Sequence, residues 1–141
     1  MLSSEVGISN GQIRKKGELL ERIMYQNIPI AIENDEGSIR KWKNEKGESG
    51  KVQIFYKYGF IEGTKGVDNE EIDCFIGHNP YAPNVYVIRL GKDDFEEKIM
   101  FGFDSQESAR DAFLAHYQDQ EYLGEIIEMP MWLYKDTLEF R

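Results

Sequence analysis

Short stretches in which apolar and polar residues alternate run through the middle of the chain. Alternation with a period of two is typical of a half-buried β-strand, and β-branched and aromatic residues strengthen that interpretation. The pattern predicts strands over residues 28–32, 38–42, 52–60, 72–76, 85–90 and 95–103. Glycine, proline and asparagine separate several of these stretches and predict turns between them.

Three other segments carry helix signals. The spacing of apolar positions in residues 12–26 predicts a short amphipathic helix. Residues 104–107 read Asp-Ser-Gln-Glu, which resembles a capping box with Asp104 as the cap, and the helix is predicted to continue to about residue 118. A third helix is predicted over residues 132–138, after Pro130.

This order of elements, several strands and then helices, is typical of an α+β protein rather than an alternating one. We predict a β-rich α+β fold: a small, OB-like antiparallel β-barrel of about five strands with flanking helices. A chain of 141 residues suits one domain, so residues 1–141 are predicted to form a single domain. Residues 1–10 are small and polar and are expected to be frayed.

Composition and charge narrow the range of functions. The formal net charge of −9 argues against nucleic-acid binding, because phosphate backbones require a basic surface. No apolar run approaches the roughly 20 residues that span a bilayer, and the N-terminal residues lack a hydrophobic segment, so neither membrane insertion nor secretion is expected. The only cysteine, Cys74, rules out an intrachain disulfide and favours a reducing, cytoplasmic location.

Three acids, Asp68, Glu70 and Asp73, lie on a predicted loop that leads into a strand. Hard cations such as Mg²⁺ prefer oxygen ligands, and acids two and three residues apart on a loop can converge on one ion. The ordinary alternative is that these are solvated loop acids, which are common. Calcium is disfavoured because the stretch lacks the glycine-centred pattern of an EF-hand.

The same stretch, Asp-Asn-Glu-Glu-Ile-Asp-Cys at residues 68–74, resembles the signature of the soluble (family I) inorganic pyrophosphatases. It follows Tyr-Gly-Phe-Ile at residues 58–61, which is similar to the family's lead-in. Ala-Ile-Glu at 31–33 and Phe-Leu-Ala-His-Tyr-Gln at 113–118 resemble two further family segments in the same order. The chain is also similar to the pyrophosphatase-like domains that phages encode.

The resemblance implies magnesium-dependent hydrolysis of pyrophosphate to phosphate by a metal-activated water, with Mn²⁺ as an alternative ion. It implies Glu70 and Asp68 as catalytic residues. The implied metal ligands are Glu33, Asp68, Asp73 and an acid between Asp93 and Glu97, for which Asp93, Asp94 and Glu96 are the candidates. The implied substrate-binding residues are Arg40, Tyr58, Lys98 and Tyr117.

Two positions depart from the family pattern: Glu70 stands where an aspartate is usual, and Gln118 stands where a lysine is expected. They keep two rival functions open. One is hydrolysis of another phosphoanhydride or nucleotide, and the other is a non-catalytic, phage-type binding domain. The alternative to a functional role for Tyr58, Tyr117 and His116 is that these side chains only pack in the core. The expected partner is a small anionic phosphate compound, with neither nucleic acid nor membrane, and the sequence permits a homo-oligomer.

Overall fold

β-Strands account for most of the regular structure in the computed structural model, which describes residues 6–9, 12–15, 19–43, 45–66, 69–91, 96–117 and 119–140. Within these residues the strands are β1 Val6–Ser9, β2 Gln12–Lys15, β3 Glu21–Tyr25, β4 Ile28–Asn34, β5 Ile39–Lys43, β6 Ser49–Gln53, β7 Lys57–Ile61, β8 Ile72–Ile76, β9 Asn84–Leu90, β10 Glu97–Phe101 and β11 Leu123–Pro130. The helices are α1 Gln106–Leu114, a 3₁₀ turn Gln120–Tyr122 and α2 Met131–Thr137.

The described strands form two sheets, one of seven strands in the order β11-β9-β10-β8-β7-β4-β3 and one of four in the order β2-β1-β5-β6. The β-rich α+β class is therefore confirmed. The strands outnumber the predicted five, and the large sheet is mixed because β10 pairs with β8 in parallel and with β9 antiparallel. Closure into an OB-like barrel stays a prediction.

Each face of the seven-stranded sheet carries its own hydrophobic core. The first face, here called the α1 face, packs Tyr58, Phe75 and Met100 against Phe113 of α1. The opposite face packs Cys74 and residues of β4, β7 and β9 against α2. Successive residues of β8, Cys74 and Phe75, enter opposite cores because side chains alternate along a strand. A strand residue can therefore be assigned to a face by its neighbours.

The predicted helix over residues 12–26 is wrong, because the described part of this segment forms β2 and β3. Gln26 and Asn27 both have positive φ, and they form the two-residue turn between β3 and β4. A two-residue turn with positive φ at both central positions matches the twist of a β-hairpin. The apolar residues whose spacing suggested a helix therefore lie on strands. In the segment that was expected to be frayed, residues 6–9 pair with β2 and β5.

The predicted strand over residues 52–60 is divided into β6 and β7. Ile54 leaves the strand pairing, yet its N–H donates to Ser38 O at 2.8 Å and its carbonyl accepts from Gly37 at 2.7 Å. Its side chain is fully buried in the α1-face core. Phe55 turns its N–H to His116. The apolar run therefore continues through a bend, which is why alternation alone did not reveal the break.

The two helices predicted in the C-terminal part are confirmed, α1 over a shorter range than residues 104–118 and α2 one residue earlier than residues 132–138. The cap of α1 is Ser105 rather than Asp104, and its hydroxyl accepts a hydrogen bond from the N–H of Ser108. Pro130 precedes α2, as predicted. No helix within the described ranges combines the length and the apolar character that spanning a membrane requires.

Candidate active site

A buried lysine lies at the centre of a polar group on the α1 face. Lys98 of β10 is fully buried, and its ammonium donates to Tyr58 Oη at 2.8 Å, to Asp73 Oδ2 at 2.7 Å and to Glu96 Oε2. Burial alone would lower the pKa of this amine, but the carboxylate of Asp73 and its other neighbours raise it well above its ordinary value. Lys98 is therefore a permanent buried cation.

The parallel pairing of β8 and β10 brings Asp73 and Lys98 together. In the register of this pair Asp73 lies directly beside Lys98, and side chains of paired residues share a face. Glu96 immediately precedes β10 and reaches the same ammonium. The Asp73 and Glu96 side chains are 28% and 23% exposed, so both carboxylates reach from solvent to a buried cation.

Two cations lie over the ring of Tyr58. The guanidinium of Arg40 lies 4.7 Å from the ring centroid, and Lys98 Nζ lies 5.3 Å from it. Cations over a tyrosine face are attracted by its quadrupole, most strongly where water is excluded. The pKa of the Tyr58 hydroxyl is raised well above its usual range, by burial first and by Asp73 next. Tyr58 is therefore a neutral platform that holds Arg40 and Lys98 near each other.

A β-bulge at the end of β4 brings two more residues to this platform. Ile32 pairs with Gly59, but the next pairing joins Asn34 to Tyr58, so one extra residue, Glu33, is inserted in β4. If β4 continued in regular register, Glu33 would pair with Tyr58 and Asn34 would share the face of Ile32. With the inserted residue, Asn34 is placed opposite Tyr58 and is fully buried. The bulge is thus the local feature that adds the end of β4 to the site.

Both residues at the bulge contact Arg40. Arg40 Nη1 donates to Asn34 Oδ1, and it lies 3.9 Å from Glu33 Oε1. The pKa of Glu33 is raised, chiefly by burial; Arg40 opposes that shift and Asp73 adds to it. The charge of Asp73 in β8 therefore acts on Glu33 at the end of β4.

Tyr117 approaches the same group from the end of α1. Its side chain is 5% exposed, and its hydroxyl is enclosed without a hydrogen-bond partner. Burial raises the pKa of this hydroxyl, and the charges of Lys98 and Glu96 are the next contributions. The hydroxyl is therefore a protonated donor on which the charges of Lys98 and Glu96 act.

His116 fixes the end of α1 beside Tyr117. Its Nε2 accepts from the N–H of Phe55 at 2.9 Å, and its Nδ1 donates to Ala112 O at 2.6 Å, because a carbonyl can only accept. Burial lowers the pKa of His116 to about 4. Its ring also packs on Phe75 at 4.4 Å between centroids. The neutral imidazole therefore joins α1 to the bend after β6.

We call this group the Lys98 cluster: Glu33, Asn34, Arg40, Tyr58, Asp73, Glu96, Lys98 and Tyr117. It brings together seven of the residues predicted from sequence. The eighth, Asn34, was not predicted; its one signal in the sequence is that it directly follows an apolar strand and the predicted site acid Glu33. Asp68, Asp93, Asp94 and Gln118 fall outside the described ranges, and their roles stay predictions.

Glu70 lies on the loop before β8 and is exposed. It lines an open cavity of about 330 Å³ together with Gly63, Thr64, Asn69 and Glu71. The loop is shaped by Asn69, which has positive φ, and by the N–H of Gly66, which donates to Glu70 O at 2.6 Å. The predicted role of Glu70 as a proton acceptor stays a prediction.

The donor chemistry of the cluster suits a hard cation. Its three acids, Glu33, Asp73 and Glu96, supply only carboxylate oxygens, the ligands that Mg²⁺ prefers. In the described part of the chain, however, no group of three or more histidine, cysteine, aspartate or glutamate side chains is arranged to hold a metal ion. Two of the predicted ligands, Asp68 and Asp93, lie outside that part, so the carboxylates described here form part of the predicted set.

Comparison with known families agrees with this arrangement. The family model for Inorganic Pyrophosphatase matches residues 11–139, which includes every residue of the Lys98 cluster. Searches of curated proteins and of solved structures give no match for this chain. The match covers nearly the whole sequence, and the chain therefore belongs to the inorganic pyrophosphatase family.

Proposed function

We propose that this protein hydrolyses inorganic pyrophosphate to phosphate in a reaction that depends on Mg²⁺. The observation that carries the proposal is the Lys98 cluster, in which two enclosed cations, Lys98 and Arg40, share one surface with the acids Asp73 and Glu96. A guanidinium such as that of Arg40 binds phosphoryl oxygens, the buried charge of Lys98 attracts them, and the carboxylates bind the metal that accompanies them.

The metal would be held by Asp73, Glu33 and Glu96 together with Asp68 and Asp93, and Mn²⁺ would serve as a substitute. When bound, such an ion neutralises phosphate charge and brings the pKa of water toward neutrality. The enclosed ammonium of Lys98 holds the carboxylates of Asp73 and Glu96 in place.

In the proposed reaction a water oxygen attacks one phosphorus, and the bond from that phosphorus to the bridging oxygen breaks. One phosphate leaves with the bridging oxygen, and the water supplies the new oxygen of the other. Glu70 accepts the proton of the attacking water, and Asp68 acts beside it. Arg40 and Tyr117 bind the phosphoryl oxygens, while Tyr58 supports Arg40 from below.

One observation favours the non-catalytic rival. Glu70 is exposed on its loop. The other predicted acids of the described ranges, Glu33, Asp73 and Glu96, are partly exposed. The remaining predicted residues there are nearly or fully buried: Arg40, Tyr58, Lys98 and Tyr117. A glutamate in place of the usual aspartate also places its carboxylate farther from the backbone. A phage-type domain that binds a phosphate compound without cleaving it would keep the cluster and lose the base.

Phosphate release from pyrophosphate, with saturating Mg²⁺ or Mn²⁺, tests the proposal against both rivals. We expect turnover of pyrophosphate above that of nucleoside di- and triphosphates. Asp68→Asn should abolish turnover because it removes a charged ligand, while Glu70→Asp should keep or raise it by restoring the usual shorter base. Cleavage of a nucleotide alone would support the first rival. No cleavage of any of these compounds, even by the Glu70→Asp variant, would support the binding domain.

A further inference from the structure

The loop of residues 62–71, between β7 and β8, contains one polar side chain that is buried. β7 and β8 pair as far as Ile61 and Ile72, so the loop leaves the sheet and returns to it at the same point. Thr64 lies just beyond that point and is only 1% exposed. A buried hydroxyl needs hydrogen-bond partners, because an unpaired buried polar group is costly.

The Thr64 hydroxyl has two partners, one on each side of the loop. Its Oγ1 donates to Ile61 O at 2.7 Å and accepts from the N–H of Ile72 at 3.3 Å. A hydroxyl has one donor and can accept as well, so both bonds form at once. One oxygen therefore joins the last residue of β7 to the first residue of β8.

Thr64 is itself held by contacts from outside the loop. Its backbone pairs with Phe140 in an isolated antiparallel bridge. The ring of Phe140 also lies 3.8 Å from the position that a Cβ on Gly63 would occupy. These contacts fix the backbone of the residue that carries the hydroxyl, so the hydroxyl can serve as an anchor for the loop.

Two other hydrogen bonds cross the loop at more open positions. The N–H of Gly63 donates to Glu71 Oε2 at 3.3 Å, and both residues are exposed. The N–H of Gly66 donates to the carbonyl oxygen of Glu70 at 2.6 Å, and Glu70 is exposed as well. Water competes for exposed hydrogen bonds, whereas breaking an enclosed one leaves its partners unpaired. We therefore expect the Thr64 hydroxyl to contribute most to holding the loop.

The anchor lies close in sequence to the proposed proton acceptor. Ile72, whose N–H the Thr64 hydroxyl accepts, follows Glu70 by two residues. Loss of that bond would release the strand end from which the backbone of Glu70 extends. A displacement of about 1 Å at a reacting group can cost about a hundredfold in rate.

We infer that Thr64 is a positioning residue for Glu70. Its hydroxyl holds the returning end of the loop at the sheet and thereby sets the position of the Glu70 backbone. The inference rests on the proposed function for the role of Glu70 as the proton acceptor. Thr64 acts through the loop and takes no part in the bonds that form and break.

Pyrophosphate hydrolysis by Thr64→Val and Thr64→Ser tests the inference. Valine keeps the shape of threonine but removes the hydroxyl, so kcat should fall about 10- to 100-fold. KM should stay close to the wild-type value, because the proposed phosphate ligands, Arg40 and Tyr117, lie outside the loop. Serine keeps the hydroxyl and should restore most of the wild-type kcat. A merely structural role would not separate kcat from KM in this way.

Thr137→Val is the matched control. The Thr137 hydroxyl also donates, at 2.7 Å, to the carbonyl oxygen three residues earlier, that of Tyr134, but it lies at the end of α2. Its kcat should equal that of the wild type. An equal fall of kcat in both valine variants would show a general effect of losing a threonine hydroxyl and would overturn the inference.

Amide hydrogen exchange gives a second measurement that needs no turnover. The N–H of Ile72 should exchange about 10-fold faster in Thr64→Val than in the wild type, while exchange at the centre of β10 stays unchanged. Thr64→Ala, which leaves room for water beside Ile72, replaces Thr64→Val if the valine variant does not fold.

The outcomes separate this inference from the proposed function. Faster exchange at Ile72 in a protein that cleaves no pyrophosphate supports the anchoring of the loop by Thr64 and rejects the hydrolase. Pyrophosphate cleavage with an unchanged kcat in the hydroxyl-free variant rejects the inference and keeps the hydrolase. Unchanged exchange at Ile72 in that variant overturns the inference whatever the activity.

Discussion

Lys98 shows how one residue can organise a site. Its side chain is completely enclosed, and its three N–H donors match the three oxygens of Tyr58, Asp73 and Glu96 that accept from it. Burying a charge is costly unless it is paired and hydrogen-bonded, and here it is both. The arrangement fixes two carboxylates that would otherwise repel each other.

Replacing Lys98 with methionine should therefore destabilise the protein by about 3 kcal/mol, because Asp73 and Glu96 lose their shared cation. Urea unfolding measures this change. Lys57→Met is the matched control, since Lys57 pairs with Glu21 at a site where the two side chains are 33% and 40% exposed. Exposed pairs contribute about 1 kcal/mol or less, so equal losses in the two variants would contradict the account.

His116 predicts a pH dependence of stability. Its pKa is lowered by burial to about 4, while an unfolded histidine titrates near 6.5, so the unfolded chain binds the proton first. Stability is therefore complete above about pH 6.5 and is lost as the pH falls toward 4. Between about pH 7 and pH 5 the loss from this group should be about 2 kcal/mol.

The measurement compares urea unfolding of wild type and His116→Gln at the two pH values. The glutamine does not titrate, so its stability should fall by about 2 kcal/mol less than that of the wild type over this range. His78→Gln is the control for the second histidine, which is exposed and pairs with Glu36. A wild-type slope equal to that of His116→Gln would show that the buried ring does not drive the dependence.

The residues of the site were more predictable than their contacts. Asp73, Lys98 and Arg40 were selected because the segments that contain them resemble family segments in the same order; residue type and spacing alone also fitted ordinary surface charges. Asn34 was missed because its placement depends on the bulge at Glu33, which changes the face of one side chain without leaving a mark in the sequence. The contact between Lys98 and Asp73 likewise depends on the register between β8 and β10, which are paired in the sheet although β9 lies between them in the sequence.

At the scale of elements, α1 illustrates how adjacent polar residues compete for one position. Asp104 and Ser105 both suit a helix cap. In the structure Ser105 caps α1, while Asp104 accepts a hydrogen bond from Asn79 Nδ2 at 2.7 Å. The choice follows from where the preceding loop directs each side chain, which composition does not determine.

Ser105→Ala should accordingly cost about 1 kcal/mol in the free energy of unfolding, because the N–H of Ser108 loses its acceptor. Asp104→Ala should cost about 0.5 kcal/mol or less, since its partner is on the surface. Chemical denaturation of the two variants distinguishes them. The reverse order of costs would identify Asp104 as the cap in solution.

Elements were predicted well where the pattern had one interpretation and poorly where it had two. Strands β8 and β9 were found because runs of β-branched and aromatic residues favour little else. The hairpin of β3 and β4 was mistaken in part for a helix, because apolar positions in a short segment fit either period. The pairing of β4 with β7 also requires Gly59, where a Cβ would lie 1.9 Å from Ala31 O.

At the scale of the whole molecule, the site collects residues from distant parts of the chain. Glu33 and Asn34 come from β4, Asp73 from β8, Lys98 from β10 and Tyr117 from beyond α1. A ligand that bridges these segments binds only the folded chain and must stabilise it. This linkage gives a test of metal binding that does not require turnover.

Mg²⁺ at a concentration 100-fold above its dissociation constant should stabilise the protein by about 2.7 kcal/mol, which corresponds to a rise of several degrees in the unfolding midpoint. Differential scanning fluorimetry with and without Mg²⁺ measures the shift. Asp73→Ala should abolish it, while Asp136→Ala, the same change on the exposed side of α2, should not. An equal shift in both variants would place the metal away from Asp73.

Because Cys74 is buried, its reaction with a thiol reagent can report on local opening of the protein core. This thiol is the only one in the chain, it is fully enclosed in β8, and its pKa is raised well above the usual value by burial. Only the thiolate reacts with iodoacetamide, so the native sheet is inert to it. Mass spectrometry can therefore follow the extent of labelling over time, and the labelling rate reports how often the core between β8 and α2 opens.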